Sequence, residues 1–156
     1  ESLSDIAIEY GVPLEDLKDK NDVTAASTGD TLVMPATLKS TEKDLMARLV
    51  QAEAKGECYE GKVGVATVVL NRVESEKFPD TVSEVIYAKS QFTPVSNKEI
   101  NKPAGAEAKK AVNEAIAKID SSMEATFFYN PKLTSDKWIK SLKVLKIIGN
   151  HNFAVS

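Results

Sequence analysis

A glutamate falls on what should be the inward face of a helix. In Arg48-Leu49-Val50-Gln51-Ala52-Glu53-Ala54-Lys55-Gly56-Glu57, Glu53 follows Leu49 by four residues and Val50 by three. Leu45, Met46, Leu49 and Val50 form an apolar stripe at helical spacing, and Glu53 lies on it. A carboxylate on a buried face is costly. Burial also raises its pKa, so such a group stays protonated closer to neutral pH and can deliver a proton. Periodicity leaves a second reading equally open, in which the helix frays before Glu53 and the side chain is solvated. Glu57 and Glu60 follow one and two turns on, as candidate partners in any chemistry that needs two carboxylates.

Other chemistries find few residues to work with. There is one cysteine, Cys58, and one histidine, His151. A zinc site normally takes three or four closely spaced His, Cys or carboxylate ligands, so no metal and no cofactor are expected. A thiol route through Cys58 and His151 is the first rival. Cys58 follows Gly56-Glu57 at a helix end, where no helix N-terminus is expected to help ionise it. A single cysteine also rules out an intrachain disulfide.

The chain of 156 residues is long enough for one domain plus a small module. Its 42% hydrophobic and 28% charged residues are those of an ordinary globular protein. No run approaches the ~20 apolar residues of a membrane span. The net charge of −3 is uneven: residues 1–40 carry eight acids against three lysines, and the remainder is slightly basic. That asymmetry suggests two units, neither with the basic excess of a nucleic-acid-binding domain. No export signal is expected at Glu1, which begins an acidic, already patterned segment.

The elements that must position Glu53 can be read in outline. Residues 2–10 read as a short helix ending at Gly11, and Pro13 opens a second helix to Asn21. A polar loop over 24–29 leads to a short strand, Asp30-Thr31-Leu32-Val33-Met34, closed by Pro35. Residues 37–41 read as a linker. Thr41, with Asp44 as its capping partner, should start the helix that carries Glu53 and ends near Gly56. Residues 60–73 are apolar nearly all round, which favours a buried helix over a strand. A short helix over 81–88, a turn at Gln91-Phe92-Thr93-Pro94 and a helix opened by Pro103 follow. An aromatic segment, Thr126 to Pro131, precedes a helical turn over 135–139. Residues 144–148 read as strand or irregular.

Two family resemblances sharpen this outline. Leu3-Ser4-Asp5-Ile6-Ala7, Tyr10-Gly11-Val12, Leu17, Asn21 and Gly29-Asp30-Thr31-Leu32-Val33-Met34-Pro35 resemble a LysM domain, a βααβ module that binds chitin and peptidoglycan glycans. The family's first strand is not among these residues, so the strand at 31–34 should be an unpaired edge that packs elsewhere or exchanges between copies.

The larger resemblance is to the SleB/CwlJ family of cell-wall and spore-cortex hydrolases. It is carried by 49–57, by Gly61-Lys62-Val63-Gly64-Val65-Ala66-Thr67-Val68-Val69-Leu70-Asn71-Arg72-Val73 and by Phe78-Pro79. Gln91-Phe92-Thr93-Pro94-Val95, Phe127-Phe128-Tyr129-Asn130-Pro131, Trp138-Ile139 and Ile148-Gly149-Asn150-His151-Asn152-Phe153 complete it. The family usually has Gly-Glu where this chain has Ala52-Glu53.

The resemblance implies a mainly α, lysozyme- or lytic-transglycosylase-like catalytic domain over 42–156, after a small α+β LysM-like segment over 1–36. It implies cleavage between N-acetylmuramic acid and N-acetylglucosamine, with Glu53 as the acid. In a transglycosylase one carboxyl group suffices: it protonates the glycosidic oxygen, then takes the proton of the muramoyl C6 hydroxyl as a 1,6-anhydro ring closes. Lysozyme shows how a hydrophobic pocket raises a glutamate to about 6. Supporting roles go to Glu57, Gln91, Thr93, Tyr129, Asn130, Trp138 and His151. Gln91 and Thr93 resemble the polar turn that lines lysozyme-like clefts. Tyr129 and Asn130 offer a ring and an amide for sugar recognition. Glu57 is read as structural or substrate-orienting ahead of catalytic, and Trp138 equally as core or sugar platform. His151 is read as a hydrogen-bonding residue ahead of a catalyst. Arg72 anchors a helix end and could pair with an acid.

The expected partner is peptidoglycan, with no nucleic acid, no membrane span and a monomeric chain. The expected place is outside the cell, in wall or spore cortex, in a bacterium or through a phage that lyses one. The rivals are a muramidase acting on the same bond and a non-catalytic glycan-binding protein.

Overall fold

The computed structural model describes residues 1–156. It opens with two short helices, α1 (Leu3–Tyr10) and α2 (Leu14–Asn21). Ser2 caps α1 reciprocally with Asp5: Asp5 N–H donates to Ser2 Oγ at 3.0 Å and Ser2 N–H to Asp5 Oδ2 at 3.3 Å. Gly11 ends α1 in the left-handed region, φ 61°. Both helices therefore form as their sequence signals require. The expected strand over 30–34 does not form. Instead the Asn21 side chain holds the extended segment at one residue. Its Oδ1 accepts from Val33 N–H at 2.7 Å and its Nδ2 donates to Val33 O at 2.8 Å. One amide side chain supplies the pair of bonds that a neighbouring strand would give.

This small unit is fastened to the rest. Leu3, Ala7, Val12 and Leu17 bury one cluster together with Ala117. Thr37 Oγ1 donates to Gly11 O at 2.7 Å and Lys43 Nζ to Tyr10 O at 3.2 Å.

The main body is helical. α3 (Ser40–Glu53) starts earlier than the Thr41 cap predicts, because Glu42 reaches back to accept from Lys39 N–H at 3.3 Å. α4 (Tyr59–Glu74) is the central helix, with Val65, Ala66, Val68 and Val69 fully buried, so the helical reading of 60–73 holds. α5 (Val82–Tyr87) and the single turn α6 (Thr93–Ser96) cross one end of the core. α7 (Ala106–Ala117) begins three residues after Pro103. There, Gly105 donates its N–H to Gln51 Oε1 at 3.1 Å while its carbonyl accepts the first helical bond from Lys109 at 3.2 Å. Ala108, Ala111, Val112, Ala115 and Ile116 form its buried face, as their spacing requires.

A three-stranded antiparallel sheet closes the other side, in the order β1 (Phe127–Tyr129), β3 (His151–Val155), β2 (Lys143–Ile148). The register pairs Phe128 with Phe153 and Ile148 with His151. A bulge between Val144 and Lys146 interrupts β2, one of the two edge strands. The β2–β3 turn is Gly149-Asn150, with Gly149 at φ 57°. The sheet meets α4 at Gly64, where a Cβ would lie 2.6 Å from Phe153 Cζ. Only a residue without a side chain lets the Phe153 ring seat against that helix. α8 (Lys137–Lys140) packs beside the sheet, capped by Asp136 Oδ1, which accepts from Trp138 N–H at 2.9 Å. No helix is long and apolar enough to cross a membrane.

Candidate active site

Glu53 is the last residue of α3, and its three preceding apolar neighbours on the stripe, Met46, Leu49 and Val50, are fully buried. The helix does not fray before it. The side chain enters a cleft of ≈ 590 Å³ between the helical body and the sheet. Burial pushes its carboxyl up to about 7. It forms no salt bridge, and no hydrogen bond ties up either oxygen. A half-buried, unpartnered carboxyl near neutrality can act as a general acid in its protonated form and as a base afterwards.

The cleft floor is organised by Arg72, near the end of α4. Its guanidinium sits 4.8 Å from the Phe78 ring centre and 5.1 Å from those of Phe92 and Phe127. Its Nε donates to Thr126 O at 2.7 Å and its Nη1 to Gln91 Oε1 at 3.2 Å. Arg72 is buried, and burial lowers its pKa to about 10. It has no acidic partner, contrary to the expectation from sequence; aromatic faces and two neutral oxygens take that place. Neighbouring Asn71 donates to Met123 O and Ala125 O at 2.9 and 2.8 Å, which ties the end of α4 to the chain entering β1.

Of the residues singled out from sequence, Glu53, Gln91, Thr93 and Trp138 line this one cleft. Trp138 is 56% exposed and meets Phe127 edge-on at 5.5 Å. Glu57, Tyr129, Asn130 and His151 are not among the lining residues. Glu57 is engaged by Asn150, whose backbone N–H and Nδ2 donate to its two oxygens at 3.0 and 2.9 Å. Those bonds hold its carboxyl below the usual range. Tyr129 is buried, with its hydroxyl accepting from Asn152 Nδ2 at 3.4 Å. Asn130 Oδ1 accepts from Lys132 N–H at 3.0 Å and shapes the turn after β1. His151 is buried edge-on to Phe128, its Nδ1 without a hydrogen-bond partner and 3.9 Å from Glu57 Oε1. Burial lowers its pKa, against the pull of Glu57.

The rival chemistries fare differently. Cys58 is in fact the N-cap of α4, which corrects its expected position. No hydrogen bond joins it to His151. No three His, Cys, Asp or Glu side chains gather to hold a metal ion. Glu60 is drawn away by Lys146 at 3.0 Å. The second carboxyl that lines the cleft is Asp136, which the sequence reading missed. The motif Ser135-Asp136 before Lys137-Trp138 is an N-cap signal that could have marked it. The ring wall of Phe78, Phe92 and Phe127 was also missed as a unit, since its members are far apart in the chain and meet only in the fold, where Phe78 and Phe127 pack at 5.7 Å and Arg72 reaches all three.

The chain is similar to known proteins in both sequence and fold. The sequence family described as "Cell Wall Hydrolase" matches residues 56–154, a span that begins three residues after Glu53. The spore cortex-lytic enzyme of Bacillus subtilis (strain 168) is 37% identical over 134 residues, 86% of this chain and 42% of that protein. The spore cortex-lytic enzyme of Halalkalibacterium halodurans is 41% identical over 120 residues, 77% of this chain and 36% of that protein. The chain thus spans well under half the length of these curated relatives. The catalytic domain of the germination-specific lytic transglycosylase SleB from Bacillus anthracis superposes with a TM-score of 0.72 at 40% identity. That match covers 78% of this chain and 99% of that one. The catalytic domain of the Bacillus cereus SleB protein gives a TM-score of 0.70 at 39% identity, over 83% and 100%. With its family match over most of the chain and a fold shared with SleB catalytic domains, this protein belongs to the cell wall hydrolase family.

Proposed function

We propose that the chain is a peptidoglycan-cleaving lytic transglycosylase with Glu53 as its single acid and base. The observation that carries this is the Glu53 carboxyl, unpartnered in the cleft and raised to about 7 by burial. Protonated Glu53 gives its proton to the oxygen between N-acetylmuramic acid and N-acetylglucosamine, and the bond from that oxygen to muramoyl C1 breaks. The resulting carboxylate then takes the proton of the C6 hydroxyl while O6 bonds to C1. Water is not consumed, and Glu53 ends protonated as it began. The likeness to the SleB catalytic domain from Bacillus anthracis, called a lytic transglycosylase, supports the same reading.

The other residues serve this step. Trp138 offers an exposed ring for a sugar face. Gln91, its Oε1 engaged by Arg72, turns its amide N–H groups to sugar hydroxyl or N-acetyl oxygens, and Thr93 adds a hydroxyl beside it. Glu57, Tyr129, Asn130 and His151 act from behind the cleft by fixing the sheet and its turns. The substrate is wall or cortex peptidoglycan, met outside the cytoplasm. Residues 1–36 are a partial LysM-like unit, a reading supported by its two helices and by Asn21 standing in for the strand partner.

Asp136 favours one alternative, hydrolysis by a two-carboxylate muramidase, because it shares the cleft. Its Oδ1 is committed to capping α8, which favours the single-acid route. Mass spectrometry of products from purified peptidoglycan decides. Muramic ends lighter by one water support the proposal. Reducing muramic ends, together with inactivity of Asp136→Asn, overturn it in favour of hydrolysis. Binding without product leaves a glycan-binding protein.

A further inference from the structure

The stretch from Lys132 to Lys146 carries five lysines and one acid, Asp136, on a chain whose net charge is −3. All five lysines are exposed. Lys146 is taken up by Glu60, whereas Lys132, Lys137, Lys140 and Lys143 form no salt bridge. The same stretch holds Leu133, Trp138, Val144 and Leu145, four of the eight large apolar side chains that the protein exposes, and Ile147 follows it directly. The acidic remainder of the molecule offers nothing comparable.

Its place in the fold gives the stretch meaning. Asp136, Trp138 and Ile139 form one wall of the Glu53 cleft. From there the chain runs out through Lys140 and Lys143 into β2, one edge of the sheet. The basic edge starts where the cleft wall ends. A glycan strand lying in the cleft carries peptide stems on its muramic lactyl groups. Those stems must leave over the rim, and they bring free carboxylates and alanine methyl groups with them. Lysines interleaved with apolar side chains match both.

We propose that Lys132, Lys137, Lys140 and Lys143 form a docking surface for the carboxylate-bearing peptide stems of peptidoglycan, holding them while the attached sugars occupy the cleft. This rests on the reading of that cleft as a glycan-cleaving site. Each exposed charge contact contributes roughly a twofold factor, and an insoluble polymer multiplies such contacts by engaging several at once.

The test uses the full 156-residue chain and a K132Q/K137Q/K140Q/K143Q variant. Co-sedimentation with purified sacculi stripped of secondary polymers should be about tenfold weaker for the variant at low salt. The difference should close near 1 M salt, where screening falls to about 3 Å. Amidating the carboxylates of the sacculi should lower wild-type binding to the variant's level. On glycan strands freed of their stems, both proteins should act at the same rate. Equal binding of both proteins to untreated sacculi overturns the proposal. So does a loss seen only with anionic phospholipid vesicles, which would assign the surface to a membrane. If wild type releases no product from any glycan, the cleft reading falls, while co-sedimentation still decides the docking surface.

Discussion

Glu57 grips Asn150 at two points, across ninety-three residues of chain. Its Oε1 accepts from the Asn150 backbone N–H at 3.0 Å and its Oε2 from the side-chain amide at 2.9 Å. Glu57 in turn donates its own N–H to Ala54 O at 3.0 Å, next to Glu53. The β2–β3 turn is thereby tied to the turn that follows Glu53. Gly149 permits the approach, since a Cβ there would stand 2.9 Å from Glu57 Oε1.

Removing this tie should cost stability more than chemistry. Glu57→Ala returns the exposed Asn150 donors to water and should lower unfolding free energy by about 1 kcal/mol. Because the folded carboxyl is held below its unfolded value, mainly by the Asn150 side-chain bond, its contribution is present above the unfolded glutamate range. It is lost as pH falls through the lowered folded value. Urea titrations of wild type and Glu57→Ala should therefore converge in acid and separate towards neutral pH. A gap that widens in acid would contradict this.

Glu53 should behave in the opposite sense. Its carboxyl is raised to about 7, so the folded state holds a proton that the unfolded state has already released. Stability is lost as pH rises between the ordinary glutamate range and 7. Glu53→Gln should match wild type near pH 4 and exceed it by about 2 kcal/mol at pH 8, read from thermal or urea unfolding. The same variant should lose at least about a hundredfold in peptidoglycan cleavage. Wild-type cleavage should decline above pH 7 as the acid ionises. A variant that lyses normally would remove Glu53 from the chemistry.

Arg72 joins three rings and two oxygens that no other residue joins. Arg72→Lys keeps the charge but loses the planar stack and the fork, for about 1–2 kcal/mol. Arg72→Ala should cost about 3 kcal/mol or more, because a buried cage collapses around unpaired acceptors. Gln91 is released in both, so cleavage should fall further than stability alone explains at temperatures where each variant is folded. Intact activity in folded Arg72→Ala would show that Gln91 needs no such support.

Gly64 should tolerate nothing larger. Gly64→Ala drives a Cβ to 2.6 Å from the rigid Phe153 ring and should destabilise by about 1–3 kcal/mol. Adding Phe153→Leu should recover part of that loss, which calorimetry of the single and double variants can read. Independent, additive losses would mean that the two residues do not meet.

Local signals were enough for the helices. The Ser2–Asp5 cap, Gly11, the apolar run of 60–73 and the alanine face of 104–116 each act within a turn or two of chain, so their sequence carries their structure. The stripe that carries Glu53 is of this kind, as was the expectation that a carboxyl there is costly. Whether that carboxyl would be solvated could not be read locally. It depends on Phe92, Phe127 and Phe128, which arrive from α6's entry and from β1 to wall the cleft. The sheet was the least legible part. Its strands are three to six residues long, and β2 is exposed at nearly every position, so it shows no alternation. Its hairpin signal, Gly149-Asn150, lay inside a motif read for its histidine. The 30–34 segment failed the other way: it has strand-like residues but no partner strand beside it, and Asn21 satisfied one residue of its backbone instead. Helix formation needs only neighbours in sequence. Pairing of strands, packing of Phe153 on Gly64, the Arg72 cage and the grip of Glu57 on Asn150 all join residues tens of positions apart, and only the folded chain brings them together.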